Sequence, residues 1–365
     1  MFRFSQNTAK IMNCSCSIQL CSKSFDTLYK SLFLSRKLST QVLHELKLHL
    51  EGEDAQLLRL KGLPTIHHHG YVCELPPNHR FPMAKFHKVL ECLLADGIVE
   101  SSQVVSPSQV SKEIAYSVHT EEYIDKFFNG KTSLDEQRVT GFSWTPGLAS
   151  RVRYETGGTL VTAGLSLQRG LACSTAGGTH HAFPTHGSGY CLLNDLAVTA
   201  QHLLICGAVE KILIVDLDVH QGDGTAYIFQ NSPQVYTFSM HCASNFPFRK
   251  QKSDLDVELE PGTEDREFMS LLTDHLPMVL ESFRPDLVLY DAGVDPHMDD
   301  ELGKLNLSDE GLFRRDSCVI SNAIKRGIPC ATVIGGGYSK DIDLLARRHT
   351  IVHRAASKLW KNHKL

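Results

Sequence analysis

The sequence predicts an α/β fold: a doubly wound, mainly parallel central sheet flanked by helices, in a single domain. Two observations lead to this prediction. Apolar segments of strand length alternate with segments of helical spacing along the second half of the 365-residue chain, which is typical of parallel sheets covered on both faces. Polar and glycine-rich clusters directly follow the apolar segments, and open α/β sheets place their functional sites there.

Local signals give the elements in order. Strands are predicted at 211–217, 234–240, 286–290 and 328–334. Helices are predicted at 119–130, at 155–170, from 224 to 229, over 263–283 with a break at Pro277, and from a cap at Ser308 to the basic and glycine residues at 325–329. The predicted ends and the break rest on glycine, proline and cap residues, which interrupt or terminate the helical backbone.

Composition divides the chain into three segments. Residues 1–40 carry a net charge of +5, against −4 for the whole chain, and are rich in serine. This basic segment is expected to be either an ordinary tail or a mitochondrial or plastid transit peptide. Residues 41–62 are expected to form a helical lead-in, and residues 63–358 the main domain.

Charge and hydropathy also exclude some partners. A formal net charge of −4 gives no general attraction to nucleic acid, so no direct nucleic-acid binding is expected. No apolar run approaches the roughly 18 residues that a membrane-spanning helix needs, so no membrane partner is expected. The 11 cysteines include no CxxC pair, which indicates reduced core thiols in a reducing compartment.

The most informative segment is 212–224, where an apolar run ends in acids and a histidine. Asp216, Asp218 and His220 share one face of an extended strand, because side chains alternate with period two. Two acids and an imidazole at one place favour a bound cation, since a cation offsets their repulsion and their lost hydration. The alternative is a capped strand end with solvated acids.

Three further clusters lie at equivalent places in the strand pattern, at 177–181, 291–295 and 335–338. Asp295 would complete an N/O ligand set with Asp218 and His220, of the size that a catalytic zinc ion uses. Iron, cobalt or manganese would also suit two carboxylates and an imidazole. The glycines at 335–337 lack the spacing of a dinucleotide loop, so we reject phosphate binding there.

The remaining residues of these clusters suit proton transfer. The adjacent pair His180 and His181 fits general acid–base work, and Asp216 and Asp223 are available as their carboxylate partners. Tyr338 could point its hydroxyl at a developing oxyanion. Taken alone, a histidine pair in a glycine-rich loop is more often a solvated turn, and a lone GGGY more often holds a packed surface tyrosine.

The motifs GGTHHAF, DLDVHQGDG, AGVD and GGGY, in that order, resemble the zinc-dependent histone deacetylase superfamily with its arginase/deacetylase fold. The resemblance covers roughly residues 63–355 and implies that 63–358 is a deacetylase catalytic domain. Segments such as 147–151 and 246–250 are similar to class IV deacetylases and their bacterial relatives.

The resemblance implies a role for each motif residue. It implies catalytic roles for His180, His181, Tyr338, Asp216 and Asp223; one zinc ion on Asp218, His220 and Asp295; substrate contacts at Gly189, Tyr190 and Phe246; and a structural potassium ion at Asp216, Asp218, His220, Ser239 and Met240. In this scheme His181 is the main general base and acid beside Asp223, and His180 is its electrostatic neighbour.

The implied reaction is zinc-dependent hydrolysis of Nε-acyl-lysine amides, above all deacetylation of proteins such as histone tails, with a role in chromatin regulation, transcriptional repression and co-repressor complexes. Three alternatives stay open: a long-chain fatty acyl-lysine deacylase, an acetylpolyamine-type amidohydrolase, and a non-catalytic scaffold that binds acyl-lysine. A two-metal, arginase-like enzyme is not expected, because Asp295 has no DxD partner.

Two points in the resemblance are left open by the motifs. Asp135 and Glu136 are the candidates for an acidic loop residue that holds the substrate backbone, although neither lies in a motif. The resemblance implies a nuclear or cytoplasmic protein, whereas cleavage of residues 1–40 as a transit peptide would imply a mitochondrion or plastid.

Overall fold

Eight strands form one sheet in which every neighbouring pair runs parallel. The structure is a computed structural model that describes residues 60–365. The strands are β1 (Thr65–Ile66), β2 (Val104–Val105), β3 (Leu171–Ser174), β4 (Ile212–Asp216), β5 (Val235–Cys242), β6 (Leu255–Leu259), β7 (Leu287–Asp291) and β8 (Cys330–Val333). Their order in the sheet is β2-β1-β3-β8-β7-β4-β5-β6. The predicted fold class is therefore confirmed, and the sheet is wholly parallel.

Ten α-helices and two 3₁₀ turns connect the strands within the described residues. The helices are α1 (Lys85–Ala95), α2 (Lys112–Ala115), α3 (Glu121–Phe128), α4 (Leu134–Thr140), α5 (Pro146–Arg169), α6 (Asp195–Ile205), α7 (Asp223–Phe229), α8 (Asp265–Phe283), α9 (Asp309–Lys325) and α10 (Ile342–His363). The 3₁₀ turns are His69–Tyr71 and Ser101–Gln103. None of the helices described is long and apolar enough to cross a membrane. The basic segment 1–40 and nearly all of the lead-in 41–62 lie outside the described residues.

The predicted strands and most predicted helices lie within two or three residues of the observed ones. Ser308 caps α9 as predicted, and its hydroxyl accepts a hydrogen bond from the Gly311 amide at 3.0 Å. The helix predicted at 155–170 begins earlier, because Thr145 caps it and Pro146 occupies its first turn, where no amide proton is needed. Sequence patterns did not predict β1, β2, β3 or β6, nor the helices α1, α2, α4, α6 and α10.

The predicted break at Pro277 is wrong, because α8 continues through it to Phe283. The buried residues of α8 include Leu272 and Leu276 before the proline and Val279 and Leu280 after it. Packing on both sides of Pro277 therefore holds the helix together, although the proline removes one main-chain hydrogen bond.

The core explains why the strands are apolar throughout. All residues of β4 and β7 are buried, since helices cover both faces of the sheet. On one face, Ile214, Leu289 and Val333 belong to a cluster that includes Leu160 of α5 and Leu196 of α6. The polar residues that follow these strands are thus held at the rigid carboxyl edge of the sheet.

Candidate metal centre and active site

The four polar clusters predicted from the sequence meet at one edge of the sheet. They follow β3, β4, β7 and β8, which are consecutive neighbours in the strand order, so their carboxyl ends lie together. Asp216 ends β4 and Asp291 ends β7, and the two residues are partners in register. The wholly parallel topology is what brings residues so distant in sequence to one place.

The first group at this edge consists of Asp218, His220 and Asp295. One ligand atom from each lies within 4.8 Å of the others, and all three residues are buried. His220 Nδ1 is 3.0 Å from Asp218 Oδ1 and 3.1 Å from Asp295 Oδ2. The three residues that the sequence predicted as a ligand set therefore converge on one point.

The surroundings of this group fit a bound cation. Asp295 Oδ2 is buried, and apart from the 3.1 Å ion-pair contact with His220 Nδ1 it has no polar partner among the described residues. The other oxygens are fixed from outside, because Val219 N–H donates to Asp295 Oδ1 and Gly336 N–H donates to Asp218 Oδ2, both at 2.8 Å. Main-chain donors therefore orient the carboxylates and leave their remaining oxygens for a metal ion.

The charges of this group also favour a cation. Burial, and then the charge of Asp218, raises the pKa of Asp295 to about 7. Burial lowers the pKa of His220, but its hydrogen bonds to Asp218 and Asp295 outweigh burial and raise that pKa to about 10. A proton on His220 thus offsets the two carboxylates when no metal does so, and a metal ion would replace that proton.

Glycines allow the main chain to approach the ligands closely. A Cβ on Gly336 would lie 2.3 Å from Asp295 Oδ2 and 2.6 Å from Asp218 Oδ2. A Cβ on Gly293 would lie 2.3 Å from Asp218 Oδ2. Glycine is therefore required at both positions, one in the GGGY motif and one in the AGVD motif, because any side chain there would collide with the ligand carboxylates.

The histidine pair forms two carboxylate–imidazole contacts beside the ligand group. His180 Nδ1 is 2.7 Å from Asp216 Oδ2, and His181 Nδ1 is 2.6 Å from Asp223 Oδ1. The two Nε2 atoms are 3.2 Å apart. These are the pairs that the sequence resemblance implied, and both histidines present their Nε2 side to the pocket.

The two histidines have opposite protonation preferences. Burial disfavours the charged form of His180, but the nearby carboxylates of Asp216 and Asp218 outweigh burial and raise its pKa well above the usual value. Burial, and then the charge of His180, lowers the pKa of His181 to about 4. At neutral pH the pair therefore consists of a charged His180 and a neutral His181 that can accept a proton.

His119 ties down the loop that carries the histidine pair. Its Nδ1 donates to the Phe183 carbonyl at 2.9 Å, and its Nε2 accepts from the Asn194 amide at 3.0 Å. These contacts require the neutral ring, and burial lowers the pKa of His119 to about 4. Asn194 in turn donates to the carbonyls of His180 and Ala182. Sequence reasoning missed this support, because His119 lies far away in the chain.

Aromatic rings and a glycine wall the approach to the ligand group. The rings of Phe246 and His181 are perpendicular, with centroids 4.9 Å apart. The rings of Tyr190 and Tyr338 are 5.9 Å apart. Gly189 has φ +50°, and a Cβ there would lie 2.7 Å from His181 Cδ2. Of the three residues predicted to contact substrate, Gly189 and Phe246 therefore lie against His181, and Tyr190 lies beside Tyr338.

Tyr338 lies over the ligand group. Its ring is 6.5 Å from that of His220, and it is 8% exposed. Burial raises the pKa of its hydroxyl well above the usual range, and the charges of Asp295 and Asp218 raise it further. Tyr338 therefore stays protonated and is available as a hydrogen-bond donor.

Comparison with known proteins agrees with this geometry. The family model for the histone deacetylase domain matches residues 79–355. The chain belongs to the histone deacetylase family. Histone deacetylase 2 of Arabidopsis thaliana is 30% identical over 271 residues, which cover 72% of this chain and 70% of that protein. An uncharacterized protein of Picosynechococcus sp. is 48% identical over 299 residues, covering 82% of this chain and all of that protein (100%).

Solved structures show the same fold. The crystal structure of an HDAC homolog from Aquifex aeolicus has a TM-score of 0.69 at 24% identity, covering 82% of this chain and 84% of that one. The HDA15 HD domain has a TM-score of 0.69 at 20% identity, with 82% and 88% covered. The arginase/deacetylase fold implied by the sequence motifs is thus confirmed for this histone deacetylase family member.

A third carboxylate, Asp291, lies beside the histidine pair. Its Oδ2 is 3.8 Å from His180 Nδ1, and neither of its oxygens has a hydrogen-bond partner among the described residues. With His180 and Asp216 it forms a second group whose ligand atoms lie within 4.8 Å of one another. Burial, and then the charge of Asp216, raises the pKa of Asp291 well above its usual value. The motif AGVD begins one residue later, so the sequence analysis assigned no role to this acid.

The pocket is also lined by charged residues to which the sequence analysis assigned no role. The lining of the pocket includes Lys85, Arg151 and Glu155 together with residues of the ligand group. Arg151 donates to Glu155 Oε1 at 2.8 Å. Burial lowers the pKa of Lys85 to about 8, although Asp295 and Asp218 act in the opposite direction. Lys85 comes from α1 and the arginine–glutamate pair from α5.

The residues predicted to hold potassium lie at the ends of β4 and β5. Ser239 is the register partner of Asp216, and its Oγ is 2.9 Å from His241 Nδ1. Ser239 and Met240 are both buried. The potassium ion stays a prediction, with its five residues in one region of the fold.

The two candidate acidic loop residues form local contacts on α4. Glu136 Oε1 accepts from Lys126 at 2.6 Å, and its other oxygen accepts from the Ser133 amide at 2.6 Å. Asp135 forms an exposed ion pair with Arg138 at 2.8 Å. Glu136 is thus occupied as a helix cap, which leaves Asp135 the freer of the two.

Proposed function

We propose that the protein hydrolyses Nε-acyl-lysine amides with the help of zinc, and that its substrates are proteins such as histone tails. One observation carries this proposal: a neutral histidine paired with a carboxylate, His181 with Asp223, and a protonated tyrosine, Tyr338, face the same buried ligand group. Amide hydrolysis needs a base for the water, an acid for the amine and a donor for the carbonyl oxygen.

Asp218, His220 and Asp295 would hold the zinc ion. Zinc bound there would polarise the scissile carbonyl and make a bound water molecule more acidic. Three protein ligands leave further positions open for water and substrate, as in catalytic rather than structural zinc sites.

His181 would accept a proton from the attacking water at Nε2. Its contact with Asp223 holds the proton on Nδ1, so the Nε2 lone pair faces the pocket, and the carboxylate stabilises the imidazolium that forms. The protonated His181 would then donate to the amine nitrogen as the amide bond breaks. Tyr338 would donate a hydrogen bond to the carbonyl oxygen as negative charge develops on it.

The shape and charge of the pocket support a short acyl group. Tyr190 and Phe246 would flank the methylene stem of the lysine, which is apolar. Lys85 and the Arg151–Glu155 pair also line this pocket. A long alkyl chain would place apolar carbon against these charged groups, which is unfavourable in free energy. This disfavours the fatty acyl alternative.

A purely binding role would not require the His181–Asp223 pair or Tyr338. Nothing in the pocket favours an acetylpolyamine.

The test is the rate of acetate release from an acetyl-lysine peptide by zinc-loaded protein, before and after removal of zinc. A myristoyl-lysine peptide and an acetylpolyamine serve as competing substrates, and the His181→Ala variant as the inactive control. We expect acetate release that requires both zinc and His181. Faster release of myristate, or turnover of the polyamine alone, would refute the assignment to short acyl-lysine proteins.

A further inference from the structure

Three buried charged residues line the pocket beside the ligand group: the cations Lys85 and Arg151 and the acid Glu155. Their pairing indicates which acyl groups the pocket accepts. The argument rests on the proposed function, because it takes the scissile carbonyl to lie at the ligand group. Lys85 and Arg151 are each 2% exposed, and Glu155 is 3% exposed. Buried charges of this kind need partners.

Arg151 has its partners. It donates to Glu155 Oε1 at 2.8 Å and, through Nε, to the Tyr71 carbonyl at 3.0 Å. The arginine and glutamate charges therefore offset each other. The guanidinium also lies over the ring of Phe86, 4.8 Å from its centroid.

Lys85 has only neutral partners. Its ammonium donates to the Gly335 carbonyl at 3.1 Å and lies 5.3 Å and 5.9 Å from the ring centroids of Phe86 and Phe81. Among the described residues, no carboxylate forms an ion pair with it. The acids that act on it most strongly are Asp295 and Asp218, whose charges a bound metal ion would offset. An ammonium group has three donors, so Lys85 has donors left for an anion.

Lys85 is close to the ligand group. The Gly335 carbonyl accepts from Lys85, and the next amide, Gly336 N–H, donates to Asp218 Oδ2 at 2.8 Å. One peptide unit and two hydrogen bonds therefore connect the ammonium to a ligand oxygen. A gap of this kind is spanned by an acyl chain of two or three methylenes and a terminal carboxylate, roughly 4–6 Å beyond the scissile carbonyl.

We propose that this pocket recognises a carboxylate at the far end of the acyl group, so that succinyl-lysine and glutaryl-lysine are substrates. The reaction is the same hydrolysis: water adds across the amide, the C–N bond breaks, the amine takes the proton, and a dicarboxylate leaves. Lys85 pairs with the distal carboxylate, and the Arg151–Glu155 pair closes the pocket beyond it. Charge-assisted hydrogen bonds of this type are stronger than neutral ones.

The experiment compares two peptides that differ only in charge, succinyl-lysine and its primary amide, succinamoyl-lysine. With zinc-loaded wild-type protein we expect kcat/KM to favour succinyl by on the order of tenfold or more, as hydrogen bonds to charged groups do. Lys85→Met keeps the length of the side chain and removes its charge, and should bring the ratio close to one. Lys85→Arg should retain the preference. Lys361→Met, which removes an exposed lysine of α10, should leave the ratio unchanged.

A binding measurement gives an independent readout. Calorimetry with free succinate and with its monoamide should show tighter binding of succinate to wild-type protein than to Lys85→Met, with zinc content checked in both. Acetyl-lysine turnover with no preference for succinyl over succinamoyl would overturn this inference and leave the proposed function intact. The inference would also be overturned if Lys85→Met were inhibited less by acetate but kept the wild-type ratio of kcat/KM for the succinyl and succinamoyl peptides. Lys85 would then bind only the released acetate and would not recognise the acyl group. If zinc-loaded protein cleaves no acyl-lysine peptide, the proposed function fails, and equal binding of succinate to both proteins would overturn the inference as well.

Discussion

Gly336→Ala should disrupt the metal centre while leaving the rest of the fold intact. The new methyl group would lie 2.3 Å from Asp295 Oδ2 and 2.6 Å from Asp218 Oδ2. A carbon–oxygen contact needs roughly 3.3 Å, so one or both carboxylates must move by about 1 Å. Metal sites tolerate deviations of about 0.2 Å in ligand distance, and loss of an orienting contact alone lowers affinity by about 10- to 100-fold. Displacing two ligands should reach or exceed the upper end of that range.

The assay is competition for zinc between the protein and a chelator of known affinity. Gly147→Ala is the matched control, because a Cβ there meets only ordinary contacts, 3.5 Å from Cys73 Cβ and 3.7 Å from Thr145 Oγ1. We expect about 100-fold weaker zinc binding by Gly336→Ala, with thermal unfolding of the metal-free protein close to that of the control. Zinc affinity within threefold of wild type would show that Asp218 and Asp295 do not hold the metal in this geometry.

Three further predictions concern the proton-handling residues. Tyr338→Phe should lower kcat on an acetyl-lysine peptide by about 10²- to 10³-fold with zinc content unchanged, whereas the exposed control Tyr227→Phe should not; equal rates would remove Tyr338 from the reaction. The fall of kcat/KM at acid pH should have its midpoint below pH 5. Burial and the charge of His180 lower the pKa of His181 to about 4, and the general base works in its neutral form. A midpoint near pH 6.5 would contradict this. The free energy of unfolding should fall as the pH drops from about 6.5 towards 4. The reason is that His119 has a pKa of about 4 in the folded state, so in this pH range the unfolded chain binds a proton that the folded chain does not. The expected loss of stability is up to about 3 kcal/mol. Urea unfolding at pH 7 and pH 4.5 measures that loss, and His119→Asn should reduce the pH dependence.

The sequence predicted the parts of the fold that local patterns determine. The strands before three of the polar clusters, β4, β7 and β8, could be predicted because a buried parallel strand is apolar throughout. Helix α9 could be predicted because Ser308 marks its start and Gly327 follows its end. The two-residue strands β1 and β2 carry too little pattern to detect. The uninterrupted α8 could not be predicted, since the packing that holds it across Pro277 is tertiary.

The same limit applies to the candidate site. Its motif residues stand out in sequence because acids, histidines and glycines are clustered there. Lys85, Arg151 and His119 reach the site through helix packing and a loop contact. Although Arg151 lies in a segment that resembles class IV deacetylases, no local pattern places any of the three at the site. Asp291 lies in one of the predicted clusters, but its place beside His180 could be inferred only with the knowledge that β4 and β7 are neighbours in register.

The strand order also determines when the metal centre can form. Asp218 and His220 follow β4, whereas Asp295 follows β7, and β5, β6 and α8 lie between them in the chain. The Gly336 amide that orients Asp218 comes later still, after β8. A nascent or truncated chain that ends before β7 holds two of the three ligands and cannot complete the set. Tight metal uptake should therefore be a late event in folding, after the non-local pairing of β4, β7 and β8 that makes parallel sheets slow to assemble.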